Sequence, residues 1–279
     1  MKKYSLIYLI PAVLLVQEIV AQQHQIHLKN PKGQFFLFWG YNRSTYAKSD
    51  IHFSAESYNF TLYDVPAHDL PETFSVDGYM NPNNVTVPQF NVRLGFFITD
   101  KYVISAGWDH TKYQTKNNAL VKISGTIDEE ASAKYAGTYD GEMITVNHDD
   151  FVRIEHSDGL NLIQLNIERH DLLVSNPAET LGLGSVLGTG IILPMPWTNA
   201  KIFGVVNDDR PHFTGIGVSV FGGLKFHFFS RLFLQANLQA GYLYMPGIVL
   251  TPKGGNERAS QQIKYLQGMI VLGYTFRIF

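Results

Sequence analysis

The sequence predicts an all-β fold, an antiparallel transmembrane β-barrel of about eight strands with short periplasmic turns and long extracellular loops. Three observations predict it. Segment after segment alternates apolar and polar residues with a period of two, as an extended strand with two unlike faces requires. The polar faces carry charges and the apolar faces none, which inverts a soluble barrel, whose oily face fills its own core. The connections alternate short and long, the asymmetry of a barrel with one mouth in the periplasm and the other outside. Composition agrees, since 13% of the 279 residues are aromatic and 24 are glycine, a balance that favours strands over helices.

Residues 1–21 read as a secretory signal peptide. Lys2 and Lys3 precede an apolar run from Leu6 to Val16, and Ala21 supplies a small residue at the cut. The run is too short for a spanning helix, which needs about 20 apolar residues. The mature chain, 22–279, is then a single barrel domain.

The first strand is expected over Gly33 to Tyr46, with Phe35, Leu37, Trp39 and Tyr41 on one face and Gln34, Gly40, Asn42 and Ser44 on the other; Phe36 and Phe38 break the pattern. Gln89 to Ile98 follows with Phe90, Val92, Leu94 and Phe96 outward, then a tight turn at Thr99–Lys101. The next strand starts at Tyr102, with Ile104, Ala106 and Trp108 outward against Ser105, Gly107, Asp109 and Thr111. Leu160 to Asp171 places Ile163, Leu165 and Ile167 out, and turns at Asn176-Pro177 into the glycine-rich Leu181 to Leu193. Those glycines lack the following helix of a phosphate-binding loop and read as close packing in a wall. Phe213 to Phe228, a turn at Ser230, and Leu232 to Tyr244 complete the set before the last strand.

That strand, Lys264 to Phe279, points Leu266, Ile270, Leu272, Tyr274, Phe276 and Ile278 one way and Gln267, Met269, Gly273, Thr275 and Arg277 the other. Its fragment Gly273-Tyr274-Thr275-Phe276-Arg277-Ile278 resembles the terminal β-signal by which Gram-negative outer-membrane barrels are recognised for assembly. The architecture as a whole resembles the eight-stranded outer-membrane barrel class, including the transmembrane domain of the OmpA type. The resemblance implies an outer-membrane location, contact with outer-membrane lipid and lipopolysaccharide, and a monomer that meets the barrel-assembly machinery through its last strand. A secreted soluble β-barrel or sandwich binding protein is the alternative that alternation alone permits.

Of the long connections, Ser44 to Pro88 contains an alternating piece, Ser57 to Val65, that suggests a hairpin or strand extension standing above the membrane. The connection Gln114 to Gly159 holds nine acidic residues (Asp128, Glu129, Glu130, Asp140, Glu142, Asp149, Asp150, Glu155, Asp158) against four basic ones (Lys116, Lys122, Lys134, Arg153), and reads as a solvated loop without ordered calcium-loop spacing. Without Lys2, Lys3 and Glu18, the 22 basic and 24 acidic residues become 20 and 23, so no basic excess exists to hold nucleic acid. The chain has no cysteine, which excludes disulfides, thiolate metal sites, a catalytic thiol and a lipid-anchored N-terminus. Neither a metal site nor a cofactor is expected.

Two sets of residues carry candidate chemistry. Arg93, Asp109, Glu168, His170, Lys225, His227 and Arg277 are expected to face the lumen of a barrel narrow enough to be filled by side chains, forming a polar network that satisfies its own charges. A gated path, porin-like conduction or a small-ligand pocket is the competing use of the same groups. The second set is His156, Ser157 and Asp158, which with Glu168 contains an imidazole, a hydroxyl and carboxylates, the kit for activating a serine toward an ester. It weakly resembles the His-x-Ser-Asn motif and downstream glutamate of the outer-membrane lipid A deacylases. Here the serine adjoins the histidine, which turns the two to opposite strand faces, and Asp158 stands where that motif has serine. The expectation therefore leans away from an enzyme and toward a structural, recognition or small-ligand-binding role. A lipid A deacylase-like esterase is the minority reading.

Overall fold

The computed structural model describes residues 27–73, 88–208, 211–250 and 256–278. The expected signal peptide and the terminal Phe279 lie outside the described residues. The strands are β1 (Phe35–Tyr46), β2 (Ser49–Ser54), β3 (Tyr58–Val65), β4 (Ala67–His68), β5 (Phe90–Phe97), β6 (Tyr102–Thr115), β7 (Ala119–Ile127), β8 (Gly137–Val146), β9 (Val152–Ser175), β10 (Leu181–Pro196), β11 (Asn199–Ile202), β12 (Val205–Asp208), β13 (Ile216–Phe228), β14 (Leu232–Val249) and β15 (Arg258–Phe276). Eight of them close a ring in the order β1-β5-β6-β9-β10-β13-β14-β15, with β15 returning to β1 from Phe35↔Phe276 to Tyr46↔Tyr265. Every pairing in the ring is antiparallel. Closure matters physically because an open edge would leave unpaired backbone groups in hydrocarbon.

The outward face is apolar and uncovered. Leu187 is 62% exposed, Ile270 61% and Leu165 60%, in a belt continued by Ile104, Ile167, Val218, Val220, Leu224 and Leu238. A contiguous surface of this kind suits contact with lipid. At the end with the short turns, aromatic rings pack around the outside: Phe35 lies 4.6 Å from Phe96 and 5.7 Å from Phe276, and Phe226 lies 6.2 Å from Phe228. Such rings suit the interface between lipid and water.

The three short turns are built by local chemistry. Thr99 Oγ1 accepts from the amides of Lys101 and Tyr102 at 3.2 and 2.9 Å, and Asn176 Oδ1 accepts from the Leu181 amide at 2.9 Å. Phe229 and Ser230 both take positive φ to turn β13 into β14. These turns lie together at one end of the ring, the end expected to be the periplasmic mouth, and the long connections lie at the other.

The long connections differ from the expectation of open loops. The β2–β3 hairpin matches the alternating piece seen in the sequence, but the acidic segment also folds, as the β7–β8 hairpin. The upper end of β15 pairs with β2 (Arg258↔Ser54 to Gln261↔Ile51), β2 with β3, β3 with β7 and β7 with β8. On the other side β9 pairs with β11, and β11 with β12. The wall strands thus run on past the membrane into an external sheet, termed here the platform. The expected strands Leu160 to Asp171 and Lys264 to Phe279 start too late for this reason: β9 has 24 residues from Val152 and β15 has 19 from Arg258. At about 3.3 Å per residue β9 spans roughly 80 Å, well beyond an apolar belt roughly 25 Å tall even after tilting.

Candidate functional site

The lumen is filled by layers set by parity. At the periplasmic end Phe36, Phe38, Phe97, Val103, Phe233 and Val271 form an apolar floor. Phe36 and Phe38, which broke the alternation of the first strand, are these inward rings. They fit because glycine faces them or their neighbours: a Cβ on Gly95 would meet the Phe36 ring at 2.3 Å, and one on Gly273 the Phe233 ring at 2.1 Å. The same device operates within the glycine-rich β10, where Phe221 covers Gly188.

Above the floor lies the charged layer. Arg93 on β5, 1% exposed, donates to Glu168 Oε1 at 3.4 Å and to Gln164 Oε1 at 3.3 Å. Its guanidinium stacks over Phe221 at 4.8 Å and Phe38 at 5.5 Å. Glu168 also accepts from the Ser105 hydroxyl and bonds His170 Nε2 at 2.8 Å. Asp109 accepts from Gln164 and, at 3.5 Å, from Gln239, which also donates to Tyr265 Oη at 3.0 Å. Ser44, Thr111 and Tyr46 continue the polar chain upward. A buried network of this size is stable only when its members satisfy one another, and the narrow ring leaves its centre to side chains.

Of the expected lumen set, Arg93, Asp109, Glu168, His170 and Lys225 are buried inside the barrel and His227 is partly buried beside them. Arg277 departs from the expectation. It follows the end of β15 and donates to the Lys32 carbonyl at 2.8 Å, an exposed bond. The alternation of the last strand stops with its backbone pairing, so parity no longer aims Arg277 inward. The lumen is not polar along its whole length. Toward the platform, Leu160, Leu162, Ile192, Leu243, Met245 and Ile263 point in and merge with Ile51, Phe53, Phe60, Leu62, Val121, Ile123 and Phe151 in one buried core. Hydrophobic inward residues are admissible there because the wall has left the membrane and the platform covers it.

The second candidate set is not assembled. His156 is buried in that external core, its Nδ1 3.1 Å from Thr198 Oγ1 and its ring 5.6 Å from Tyr113. Burial pushes its pKa down to about 3, so the ring is neutral at ordinary pH. Asp158 is exposed, and the side chain of Ser157 lies outside the described residues. His156 and Glu168 are both buried, but Asp158 between them is exposed, where β9 carries an irregularity against β6 between Thr111 and Tyr113. Gly159 sits there at φ 134°, where an added Cβ would meet His110 at 2.4 Å. Glu168 is twelve residues from His156, roughly 40 Å along an extended strand.

In the acidic segment, Lys134 Nζ and the Tyr135 hydroxyl both hydrogen-bond Asp150, the latter at 2.8 Å. The Lys134 bond holds the Asp150 carboxyl below its ordinary range. Among the described residues no cluster suited to a metal ion is present. What the sequence did not single out is a cavity of about 510 Å³ at the periplasmic mouth. It is bounded by the N-terminal segment at His27, Leu28 and Pro31 and by Phe97, Lys225 and His227.

No family model matches the chain, and no curated protein sequence matches it significantly. Among solved structures it is similar in fold to the outer membrane protein OprG from Pseudomonas aeruginosa, at 9% identity over 88% of this chain and 97% of that one, with a TM-score of 0.39. The attachment invasion locus protein Ail of Yersinia pestis is similar at 10% identity over 88% and 99%, TM-score 0.34. Neisserial surface protein A is similar at 10% identity over 88% and 98%, TM-score 0.33. At these identities the likeness is one of barrel architecture. By its own geometry the chain is a closed antiparallel β-barrel, with an apolar outside and a filled interior.

Proposed function

We propose that this protein is a plugged outer-membrane anchor that displays a rigid β-platform at the cell surface for recognition. The observation that carries the reading is the continuity of the external core: inward residues of the wall and buried residues of the platform form one hydrophobic cluster. A pore needs a path, and this barrel has an apolar plug outside, an ion-paired layer in the middle and an aromatic floor. A mere tether, in turn, has no need of strands that run on beyond the bilayer. The lipid-facing belt would contact outer-membrane lipid and lipopolysaccharide. The last strand would engage the assembly machinery, and the protein would act as a monomer. Esterase chemistry is disfavoured by the separation of His156 from Glu168.

Two measurements test this together. An epitope inserted into the β7–β8 tip, between Glu129 and Glu130, is expected to be reached by antibody on intact cells; detection only after permeabilisation would invert the orientation and sink the reading. The purified protein in planar bilayers is expected to give no discrete current steps, and regular steps would overturn the plug. Removing the whole hairpin is a poor test, because Val121, Ile123, Ile127 and Val146 are buried in the shared core.

A further inference from the structure

The wall of the cavity beside the N-terminal segment holds a buried lysine without a polar partner. Lys225 is 2% exposed, makes no ion pair among the described residues, and its Nζ has no hydrogen-bond partner. It rests over the ring of Phe233 at 3.8 Å and near Phe36 at 4.7 Å. Cation–π contact offsets only part of the cost of removing an ammonium from water. The acids nearby are already engaged. Glu168 holds Arg93, Ser105 and His170. Asp171 is paired with Arg169 at 2.7 Å and Lys101 at 3.2 Å. Asp100 accepts from the Lys32 amide at 3.2 Å.

Two further nitrogens in the same wall lack partners, His170 Nδ1 and His227 Nδ1. Because His170 Nε2 faces the Glu168 carboxylate, which accepts, its proton belongs on Nε2. The neutral ring then offers Nδ1 as an acceptor. A ligand matched to this wall needs a negative oxygen for Lys225 and an O–H for His170. Hydrogen phosphate has both, and a carboxylate has only the first.

The enclosure is built. The N-terminal segment crosses the mouth and is tied at several points. The Leu28 amide donates to Glu179 at 2.8 Å, the Gly33 amide to the Phe97 carbonyl at 2.9 Å, and Arg277 to the Lys32 carbonyl at 2.8 Å. We propose that this vestibule is a binding site for a small phosphate-bearing anion entering from the periplasm, with Lys225 as its cation and His170 and His227 as flanking groups. The four-carbon stem of Lys225 lets Nζ exchange the Phe233 ring for the anion. The site faces away from the platform and stands independently of the recognition reading.

The test uses the full mature protein in detergent micelles, with inorganic phosphate as probe and acetate as control. Saturable phosphate binding by calorimetry is expected, with acetate weaker, and Lys225→Met is expected to weaken phosphate by about tenfold or more, as loss of a charged hydrogen-bond donor implies. Heat-modifiable migration checks that the variant is folded. In the unmodified protein, phosphate is expected to shift the imidazole resonances of His170 and His227 and leave His156 unmoved, a readout that does not depend on the variant. Absence of saturable phosphate binding, or equal affinity in Lys225→Met, would overturn the site. Acetate binding as tightly as phosphate would overturn the phosphate assignment.

Discussion

Arg93 and Glu168 meet across the barrel interior at 3.4 Å, each almost completely buried. The pair joins β5 to β9 through the lumen, across the intervening strand β6. Removing one partner leaves the other charged and without water, so Arg93→Met is expected to cost about 3–5 kcal/mol. Arg93→Met with Glu168→Gln should recover a large part of it. Urea unfolding in detergent, read as the shift in the heat-modifiable band, measures both; equal midpoints for single and double variants would show that the charges are not coupled.

Gly188 is covered by Phe221, whose Cζ would lie 2.3 Å from an added Cβ. Gly188→Ala is expected to destabilise the barrel by about 1–3 kcal/mol through overpacking. Phe221→Leu in the same chain should relieve some of that strain, and a double-mutant cycle on the unfolding midpoint would detect the coupling.

Gly159→Ala should act on the platform and spare the barrel. Its φ of 134° and the 2.4 Å approach to His110 make any side chain costly, by about 1–3 kcal/mol from backbone strain alone. Limited proteolysis is expected to cut the β7–β8 and β11–β12 hairpins faster, while heat-modifiable migration persists. Loss of both together would mean that wall and platform fold as one unit.

His156 gives the platform an acid limit. Its folded pKa, about 3, lies below the ordinary histidine value of 6.5. Between those values the unfolded platform binds a proton that the folded one refuses, so stability falls as pH drops through that window and is fully present above 6.5. Hydrogen exchange of the amides of residues 152–156 should accelerate from pH 6.5 toward 4 beyond the intrinsic rate change. His156→Gln should abolish that excess. An unchanged excess in the variant would assign the acid sensitivity elsewhere.

The ring was legible because lipid imposes a strict rule: outward residues must be apolar, and the inward ones here differ from them. Parity therefore found all eight wall strands, and the turn chemistry at Thr99, Asn176 and Ser230 fixed which connections were short. The platform was harder to read. Its β7–β8 hairpin is one-sided, with β8 exposed along most of its length, and its acidic residues suggested a solvated loop. The partner of that hairpin, β3, and the partner of β2, the top of β15, lie far away in sequence. The candidate site failed on distance and at Asp158. Counting by twos from Glu168 puts His156 and Asp158 on one buried face; His156 is there, too far up the strand, and the irregularity at Gly159 leaves Asp158 exposed. The lumen charges were found by parity, but the vestibule was not, since one of its walls is the N-terminal segment, which has no periodic signal.

The unbroken course of β9 through wall and platform restricts how the length of this sequence can drift. A single residue gained or lost within the wall, unless a bulge like the one opposite Leu183 and Gly184 absorbs it, would move every residue above it to the opposite face, turning the buried external core outward. Among the described residues, length change is admissible where a strand reverses, as at the tips around residues 128–136 and 203–204. Descendants of this chain are therefore expected to differ in length there while keeping the span between Val152 and Ser175 constant.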